Sequence, residues 1–325
     1  MKKIKSDAMN KISVIVPVFN AQKYLKRCLD SLVNNKECLY EVILVDDGST
    51  DNSSIICKDY QNRFNFIRYY YQSNHGPSAA RNYGLKMVKG KYIMFVDSDD
   101  FVDDLTYLYE IINTISSDYF ILPNIHKLIN GHSINKTAKN VEGIHLTDDR
   151  KLIKTLIKEE KINSPWSKIY KKEILDKANI CFDEDVNIAE DLLFNIDYLC
   201  ECSNFFIGNN IIYNYCFNDN SSLTKKYLPN KYETLMQVNR KLKESLEQLG
   251  VASAYSYLVY KNIFSSVKDL SHNDCNLSNI DKIGRIKMYK NENNNTLVFG
   301  YGIKIFLWSL AFNLLPVKLI YLLFH

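Results

Sequence analysis

Two carboxylates separated by one residue follow an apolar run directly and could bind a metal ion. Asp97 and Asp99 come after the run Tyr92–Val96. In extended backbone, residues i and i+2 project to the same side, so both carboxylates face one way. Oxygen ligands of this type suit Mg²⁺ or Mn²⁺, which keep coordination positions for phosphate oxygens. The motif alone is equally compatible with a solvated turn, and its setting has to decide.

A second acidic pair and a basic side chain occupy comparable positions earlier in the chain. Asp46 and Asp47 end another apolar run and precede Gly48, a pattern that suits a sharp turn and acceptors for a base or ribose. Arg81 falls early in a predicted helix, where free N–H groups and a guanidinium fork match a phosphate. An ion pair between Arg81 and a nearby aspartate is the structural alternative, and the two roles are compatible.

The elements that must position these side chains form a repeating strand and helix pattern over residues 12–96. The predicted strands are Val14–Val18, Val42–Val45, Phe66–Tyr71 and Tyr92–Val96, and helices are predicted near residues 21–34, after the second strand, and near 79–88. Fully apolar strands alternating with helices predict an α/β fold with a mainly parallel central sheet and helices on both faces. Ligands of such sheets bind beyond the carboxyl ends of the strands, where the acidic residues gather.

The pattern is looser after residue 103. The sequence predicts helices near residues 105–115, 148–159, 171–178 and 188–202, a strand at Tyr119–Leu122 and a hairpin turning at Asn130–Gly131. From about Pro229 onward it predicts three or more helices without a chemical motif. We therefore divide the chain into an α/β domain, residues 1–225, and a helical C-terminal region, residues 226–325.

Composition argues against several classes of protein. The 325 residues are 46% hydrophobic and 24% charged, which is the balance of a folded globular protein. The formal net charge of +4 gives no electrostatic footprint for nucleic acid. The eight cysteines are scattered as in a reduced, cytoplasmic protein, and no secretory signal is recognised. The sequence also lacks the phosphate-binding loop G-x-x-x-x-G-K-[ST] and the dinucleotide fingerprint G-x-G-x-x-G.

The C-terminal end is apolar without having the pattern of a membrane-spanning segment. Two lysines, an asparagine and a proline interrupt the apolar stretch Leu297–Phe324, whereas a spanning helix needs about 20 consecutive apolar residues. We expect residues 297–325 to form two short amphipathic pieces that make a peripheral membrane contact. Packing of a terminal helix on the protein core is the alternative.

Four stretches in the first hundred residues form an ordered set of motifs. They are Ile12–Lys26, Glu41–Ser54, Asn74–Leu85 and Tyr92–Val102, with weaker motifs at Pro165–Leu175, Ile188–Leu192 and Tyr213–Thr224. In this order and spacing they resemble the inverting glycosyltransferases of family 2, whose nucleotide-sugar-binding domain has the GT-A (Rossmann-like) fold. The resemblance implies a metal-dependent hexosyltransferase of the kind that builds bacterial surface polysaccharides such as capsule.

The resemblance also implies roles for particular side chains. The base and ribose would be bound by Pro17, Phe19, Asp46 and Asp47, and the ribose, pyrophosphate or donor sugar by Arg81, Asp97 and Ser98. Asp99 would bind Mn²⁺ or Mg²⁺ on the diphosphate, and the acceptor or diphosphate side would be lined by Trp166 and Lys168. Asp191 would be the general base. From residue type alone, Asp191 is better explained as an acid at a helix N-terminus, which the macrodipole stabilises.

Such residues suit displacement of a nucleoside diphosphate by a hydroxyl group. A carboxylate takes the proton of the hydroxyl, a divalent cation offsets charge on the leaving group, and attack from the opposite face inverts the anomeric carbon. The expected reaction moves a sugar from a UDP-sugar to a glycan or lipid-linked acceptor at the inner face of the cell membrane. Two alternatives stay open: a nucleotidyltransferase, which would carry a Gly-rich basic loop after the first strand, and a non-catalytic nucleotide or glycan binder.

Overall fold

The structure, a computed structural model, describes residues 12–129, 132–136, 143–146, 148–217, 227–293, 297–299, 301 and 303–324. In chain order its elements are β1 Ile12–Val18, α1 Leu25–Asn34, β2 Leu39–Asp47, α2 Ser53–Arg63, β3 Ile67–Gln72, α3 Pro77–Met87, β4 Tyr92–Phe95, β5 Phe101–Val102, α4 Thr106–Thr114, β6 Tyr119–Ile121, β7 Ile125–Ile129, β8 His132–Lys136, β9 Gly143–Leu146, α5 Arg150–Lys158, β10 Lys168–Lys171, α6 Lys172–Ala178, α7 Glu190–Cys200, β11 Asn204–Ile207, β12 Tyr213–Phe217, α8 Lys231–Gln248, α9 Ser253–Asp269, α10 Asn279–Glu292, α11 Ile303–Leu314 and α12 Val317–Phe324.

The chain divides into two compact units. The first comprises the described parts of Met1–Asp149, Lys161–Asp185 and Glu190–Asn220, and the second those of Arg150–Glu160, Val186–Ala189 and Ser221–His325. All strands named above belong to the first unit, whereas α5 and α8–α12 belong to the second.

The first unit is built on a sheet with the strand order β3-β2-β1-β4-β10-β6-β11-β9. The pairs β2–β3, β1–β2, β1–β4 and β6–β11 are parallel, which confirms the predicted mainly parallel core of the sheet. Each predicted strand of residues 12–96 is present, with ends that differ by a few residues. The carboxyl ends of β1, β2 and β4 therefore lie side by side at one edge, as the acidic motifs require.

Burial explains why these strands and helices form. The residues of β1 and β4 are almost fully buried, as expected for parallel strands that helices cover on both faces. Helix α1 buries the face formed by Leu25, Cys28, Leu29 and Leu32, whose spacing is that of an amphipathic helix. These side chains join one hydrophobic core with the strands, so the sheet edge is held on a rigid base.

The second half of the first unit departs from the sequence prediction. The predicted helix near residues 171–178 is present as α6, but the residues that lead into it form β10, a strand that was not predicted and that pairs antiparallel with both β4 and β6. A further sheet, of order β5-β12-β7-β8, was also not predicted as a sheet. The strands β7 and β8 pair antiparallel, as a hairpin requires, while the predicted turn at Asn130–Gly131 lies outside the described residues.

Helix α3 approaches the sheet closely because of a glycine. A Cβ atom on Gly84 would lie 2.4 Å from Cγ2 of Ile15 in β1, a distance that no side chain tolerates. The absence of a side chain at Gly84 lets the helix axis lie against the strand. Arg81 stands one turn earlier on the same helix, so this close contact also fixes its height above the sheet edge.

The second unit is helical, as predicted for the end of the chain. Helix α5 buries Ile153, Leu156 and Ile157, and the long helices α8 and α9 pack against each other. In the part of the chain that the structure describes, no helix has the length and apolar content needed to cross a bilayer. Helices α11 and α12 bury Phe312 and Ile320 but leave other apolar side chains exposed.

Candidate active site

The end of β2 carries two acidic side chains that organise the neighbouring loops. Asp47 accepts hydrogen bonds at Oδ1 from the backbone N–H of His75 at 2.9 Å and at Oδ2 from that of Gly76 at 2.8 Å. Gln72 donates a further bond to Oδ1. The carboxylate therefore holds the loop that leads into α3, and only 3% of Asp47 is exposed.

Asp46 lies behind this loop. Its Oδ1 accepts from the N–H of Ser49 at 2.9 Å, its Oδ2 accepts from the hydroxyl of Tyr69 at 2.9 Å, and the residue is fully buried. Gly48, which follows Asp47, has φ +76°, and a Cβ there would lie 2.8 Å from the backbone nitrogen of Asn74. The structure thus gives Asp46 a part in shaping the turn, where the sequence predicted a ligand contact for it.

The end of β1 presents an aromatic ring beside this turn. Phe19 is 49% exposed, while Pro17 is partly buried and pairs in register with Val45 of β2. The following residue, Asn20, has φ +48° and accepts a hydrogen bond from the N–H of Thr50 at 2.8 Å. Because this bond ties the two strand ends together, the ring of Phe19 has a defined position at the edge of the sheet.

Arg81 joins two acidic side chains from distant parts of the chain. Its Nη2 lies 3.0 Å from Oδ1 of Asp97, and its Nη1 lies 3.1 Å from Oδ1 of Asp191. Only 7% of the arginine side chain is exposed. Burial opposes the charge, yet Asp191 and Asp97 together raise the pKa of Arg81 above its ordinary value. The guanidinium also lies over the ring of Phe182, with 5.3 Å to the centroid.

The loop after β4 contains the carboxylates predicted to bind metal. Burial and the charge of Asp97 raise the pKa of Asp99 to about 6. Asp97, Ser98 and Asp99 are all partly exposed. The backbone carbonyl of Asp99 accepts a bond from Nη2 of Arg27 at 2.7 Å, which fixes the loop against α1. Two like charges without full solvation favour binding of a cation at this position.

Asp100, next in the same loop, has a different environment. It is 1% exposed, and its carboxylate accepts from the hydroxyl of Tyr213 and from the N–H of Cys216, both at 2.7 Å. The Tyr213 oxygen in turn accepts from the N–H of Asp97 at 3.1 Å. Burial, then Asp97 and Asp99, raise the pKa of Asp100. Asp100 and Tyr213 therefore hold the shape of the loop.

Asp191 stands in the first turn of α7. Burial raises the pKa of Asp191 to about 7, against the opposing effect of Arg81. Four residues later, Asn195 is fully buried, and its Oδ1 accepts from the hydroxyls of Tyr119 at 2.9 Å and Tyr170 at 2.6 Å. Its Nδ2 donates to the carbonyl of Ile162 at 2.7 Å. Because Asn195 anchors α7 to the sheet, the Asp191 carboxylate is held at Arg81.

Lys168 and Trp166 lie on the same side of the site. Burial lowers the pKa of Lys168 to about 7, although Asp191 opposes this shift. The Lys168 ammonium donates to the carbonyl of Trp166 at 3.4 Å. The indole ring stacks on Tyr213, with 4.9 Å between centroids and 10° between planes, and on Tyr215 at 5.7 Å. Through Tyr213 the indole is connected to the loop of Asp97.

The structure thus brings the predicted residues together in two groups. Arg81, Asp97 and Asp191 are in direct contact, with Asp99 and Lys168 within electrostatic range. Pro17, Phe19, Asp46 and Asp47 form the second group at the ends of β1 and β2. The residues that the sequence analysis missed are Arg27, Asp100, Asn195 and Tyr213. Asp100 and Tyr213 stood within the motif stretches, but only their pairing in space shows what they do.

The acidic loop fits a divalent cation that substrate oxygens help to coordinate. Among the residues that the structure describes, no cluster of three or more histidine, cysteine or acidic side chains could hold a metal ion by itself. Asp99, with Asp97 beside it, provides hard oxygen donors, and burial and then the charge of Asp97 raise the pKa of Asp99. Mg²⁺ and Mn²⁺ at phosphate sites use few protein ligands together with phosphate and water oxygens, so this donor set is compatible with them.

Two proteins that resemble this chain in sequence are named as glycosyltransferases. The chain is 30% identical over 234 residues to the uncharacterized glycosyltransferase EpsJ of Bacillus subtilis (strain 168), covering 70% of this chain and 67% of that protein. It is 33% identical over 195 residues to the poly(ribitol-phosphate) beta-N-acetylglucosaminyltransferase TarS of Staphylococcus aureus (strain Mu50), covering 58% of this chain. The match spans only 32% of TarS. Other relatives are also much longer than this chain, which matches only part of them.

The fold comparison agrees with the sequence comparison. The crystal structure of S. aureus TarS 1-349 in complex with UDP-GlcNAc superposes with a TM-score of 0.67 at 26% identity, over 86% of this chain and 80% of that one. This similarity confirms the predicted GT-A fold. The family model described as Glycosyl transferase family 2 matches residues 13–178, which is half of the chain. The chain therefore belongs to glycosyl transferase family 2.

Proposed function

We propose that this glycosyltransferase moves a hexosyl group from a UDP-sugar to a hydroxyl of a glycan or lipid-linked acceptor, with inversion of the anomeric carbon. The observation that carries the proposal is the position of the Arg81 guanidinium, which joins Asp97 in the loop after β4 to Asp191 of α7. A base at Asp191 would then act beside a diphosphate that Arg81 contacts. The UDP-GlcNAc complex of the related TarS supports a uridine nucleotide as the donor.

The ends of β1 and β2 are the proposed nucleotide site. The exposed ring of Phe19 is suited to stacking on the uracil, with Pro17 shaping the wall beside it. Asp47 accepts two bonds at Oδ1 and one at Oδ2, so Oδ2 keeps a lone pair that can accept from the base or ribose. Asp46, fully buried, supports the turn that holds Asp47 in place.

The loop after β4 is the proposed diphosphate site. Asp99 would hold Mn²⁺ or Mg²⁺, with Asp97 adding negative charge and Ser98 lying between them. The cation supplies charge neutralisation for the diphosphate that leaves. Arg81 adds a fixed guanidinium that can face the same oxygens, and burial in the site strengthens its interaction with them.

Asp191 is the proposed general base. A pKa near 7 keeps a useful fraction of the carboxylate ionised at neutral pH while leaving it basic enough to accept a proton. The acceptor oxygen attacks the anomeric carbon, its proton passes to Asp191, and the bond to the diphosphate oxygen breaks with its electron pair. A single displacement inverts the anomeric centre. Trp166 and Lys168 would line the acceptor or diphosphate: Asp191 acts electrostatically on Lys168, whose ammonium donates to the Trp166 carbonyl.

The two regions of the chain would divide the work. Residues 1–225 would bind the donor and carry out the transfer, and residues 226–325 would support it, with 297–325 making a peripheral contact with the inner face of the cell membrane. The exposed apolar side chains of α11 and α12 support this contact. Relatives named for teichoic acid and poly(ribitol-phosphate) synthesis support a role in surface-polymer assembly.

Nucleotide release in the presence of Mn²⁺ tests the proposal. The purified chain, a panel of UDP-sugars and candidate acceptors should liberate UDP, and NMR of the product should show the inverted anomer. Asp191→Asn should lower kcat by about 10²–10⁴-fold, and Asp99→Ala should abolish transfer. Asp59→Asn, at an exposed carboxylate of α2, is the matched control.

Four results would contradict the proposal. Unchanged turnover in Asp191→Asn would remove the base, and a retained anomeric configuration would remove the single displacement. Release of pyrophosphate instead of UDP would identify the nucleotidyltransferase alternative. UDP binding without transfer to any acceptor would identify the non-catalytic alternative.

A further inference from the structure

The second unit contains an apolar pocket far along the chain from the carboxylates described above. It has a volume of about 280 Å³ and lies between α9, α11 and α12. Its wall includes Phe264, Trp308 and Phe324, whose rings meet edge to face or tilted at 5.0–5.7 Å between centroids. Lys304 and Ala311 line it from α11. Positions 304, 308 and 311 follow helical spacing, so one face of α11 forms this wall.

Three of the polar side chains that line the pocket are engaged with the protein. The hydroxyl of Tyr260 accepts a bond from Asn313 at 2.7 Å, and that of Tyr257 donates to the carbonyl of Lys158 at 3.3 Å. Lys261 forms an ion pair with Glu160 at 2.7 Å. The interior is therefore suited to an apolar ligand, because a sugar or nucleotide needs several available hydrogen-bond partners and these three side chains are already engaged.

The surroundings of the pocket carry apolar and positive side chains. Ile303 and Leu307, on the outward side of α11, are 78% and 53% exposed, and Leu322 of α12 is 66% exposed. Lys304 and Lys318 are exposed on the same two helices. The sequence has no acidic residue from 297 to 325. A helix that is apolar on its outward side and flanked only by positive charge is complementary to an anionic lipid surface.

We propose that this pocket takes the hydrocarbon chain of an anionic membrane lipid, with Lys304 at the lipid phosphate. An apolar cavity of about 150 Å³ stays dry and takes a benzene-sized molecule, so the pocket has room for a chain segment about twice that size. The proposal rests on the membrane contact proposed for residues 297–325. It adds a specific binding site to that contact. The site would hold one hydrocarbon chain of the lipid apart from the bilayer.

Tryptophan fluorescence of the full chain tests this site directly. The protein has two tryptophans, so Trp166→Phe leaves Trp308 in the pocket wall as the sole emitter. Vesicles of phosphatidylcholine and phosphatidylglycerol with brominated acyl chains should quench Trp308 by half or more. Unbrominated vesicles, and brominated vesicles of phosphatidylcholine alone, should leave the emission nearly unchanged.

Variants separate the pocket from the surface around it. Ala311→Leu fills the pocket and should abolish the quenching, whereas Ala252→Leu makes the same change at an exposed position at the start of α9 and should preserve it. Circular dichroism confirms that both variants fold. Lys304→Ala should weaken partitioning onto the anionic vesicles about fivefold, the effect of one basic side chain at such a surface.

Three outcomes would overturn the inference. Trp308 could stay unquenched while the protein sediments with the vesicles, or Ala311→Leu could be quenched like its parent. A dimer that Ala311→Leu dissociates would show that a second copy of the chain covers the pocket instead. UDP release with a water-soluble acceptor is measured on Ala311→Leu and Lys304→Ala in the chain that keeps both tryptophans. Unchanged release with lost lipid binding would leave the transfer reaction intact, so the two failures are distinguishable.

Discussion

Replacing Arg81 with methionine is the most direct test of how Arg81 controls the pKa of Asp191. Methionine keeps an unbranched apolar stem in the buried position but removes the guanidinium that lies 3.0 Å from Asp97 and 3.1 Å from Asp191. Arg81 is the strongest influence lowering the pKa of Asp191, which burial raises to about 7. Its removal must therefore raise that pKa further.

The expected size of the shift follows from the geometry. An adjacent arginine lowers the pKa of an aspartate by about 1–3 units. Because 22% of the Asp191 side chain is exposed, solvent screens part of the effect, and we expect the lower half of this range. The acid limb of the pH–rate profile should then move from near 7 to about 8 or above. At pH 7 this alone reduces kcat/KM by about tenfold, and raising the pH should restore that part of the loss.

UDP release measured from pH 5.5 to 9.5 provides the assay. Arg63→Met, which removes an exposed ion pair with Asp59 on α2, is the matched control and should leave the profile in place. Arg81→Lys, which keeps one charge without the fork, should fall between the parent and Arg81→Met. An acid limb that stays at the parent's pH in Arg81→Met, with measurable turnover, would refute the assignment of Asp191 as the base that Arg81 tunes.

Two further predictions concern the cation and the fold. Since the pKa of Asp99 is raised to about 6, protons should compete with the cation below that pH. The Mn²⁺ concentration for half-maximal UDP release should then rise about tenfold for each unit by which the pH falls. A constant Mn²⁺ concentration from pH 5 to 7 would exclude Asp99 as the ligand. Gly84→Ala should destabilise the protein by about 1–3 kcal/mol, because its Cβ meets Ile15, and calorimetry measures this. Gly284→Ala, in α10 with open space around it, should be neutral or stabilising by up to about 1 kcal/mol, and equal effects at both glycines would contradict the packing argument.

The strands that position the acidic loops at the sheet edge could be predicted because their sequence pattern is local. β1, β2 and β4 are short apolar runs that end in acidic or turn residues, and burial on both faces allows few other interpretations. The rule that parallel strands bind ligands at their carboxyl ends then placed Asp47, Asp97 and Asp99 at one edge. Nothing beyond the strand order was needed for that step.

The antiparallel strand β10 could not be predicted in the same way. Lys168–Lys171 has lysine at both ends and only two apolar residues between them, a pattern too short for either periodicity. It becomes a strand because β4 and β6 leave a gap that it fills by antiparallel pairing. Lys168 is buried as a result, and the downward shift of its pKa follows from a pairing that the local sequence does not encode.

The supporting residues of the site were missed for a related reason. Asp100 looks like its acidic neighbours in the sequence, but its bonds to Tyr213 and Cys216 reach across more than a hundred residues. Asn195 sits in an apolar helix face, where its type suggests nothing until Tyr119 and Tyr170 are seen to donate to it. Residue type and spacing can nominate groups that touch substrate, but groups that hold them in place depend on tertiary contacts.

The shared guanidinium would also link donor binding to the strength of the proposed base. Arg81 divides its charge between Asp97 and Asp191 in the structure. A diphosphate that draws on the same guanidinium would weaken its hold on Asp191, so the carboxylate would become more basic when the donor is bound. Because kcat/KM reports the free enzyme and kcat the bound complex, the acid limb of kcat should then lie at a higher pH than that of kcat/KM. In Arg81→Met the two limbs should coincide, since the residue that connects the donor to the base is gone.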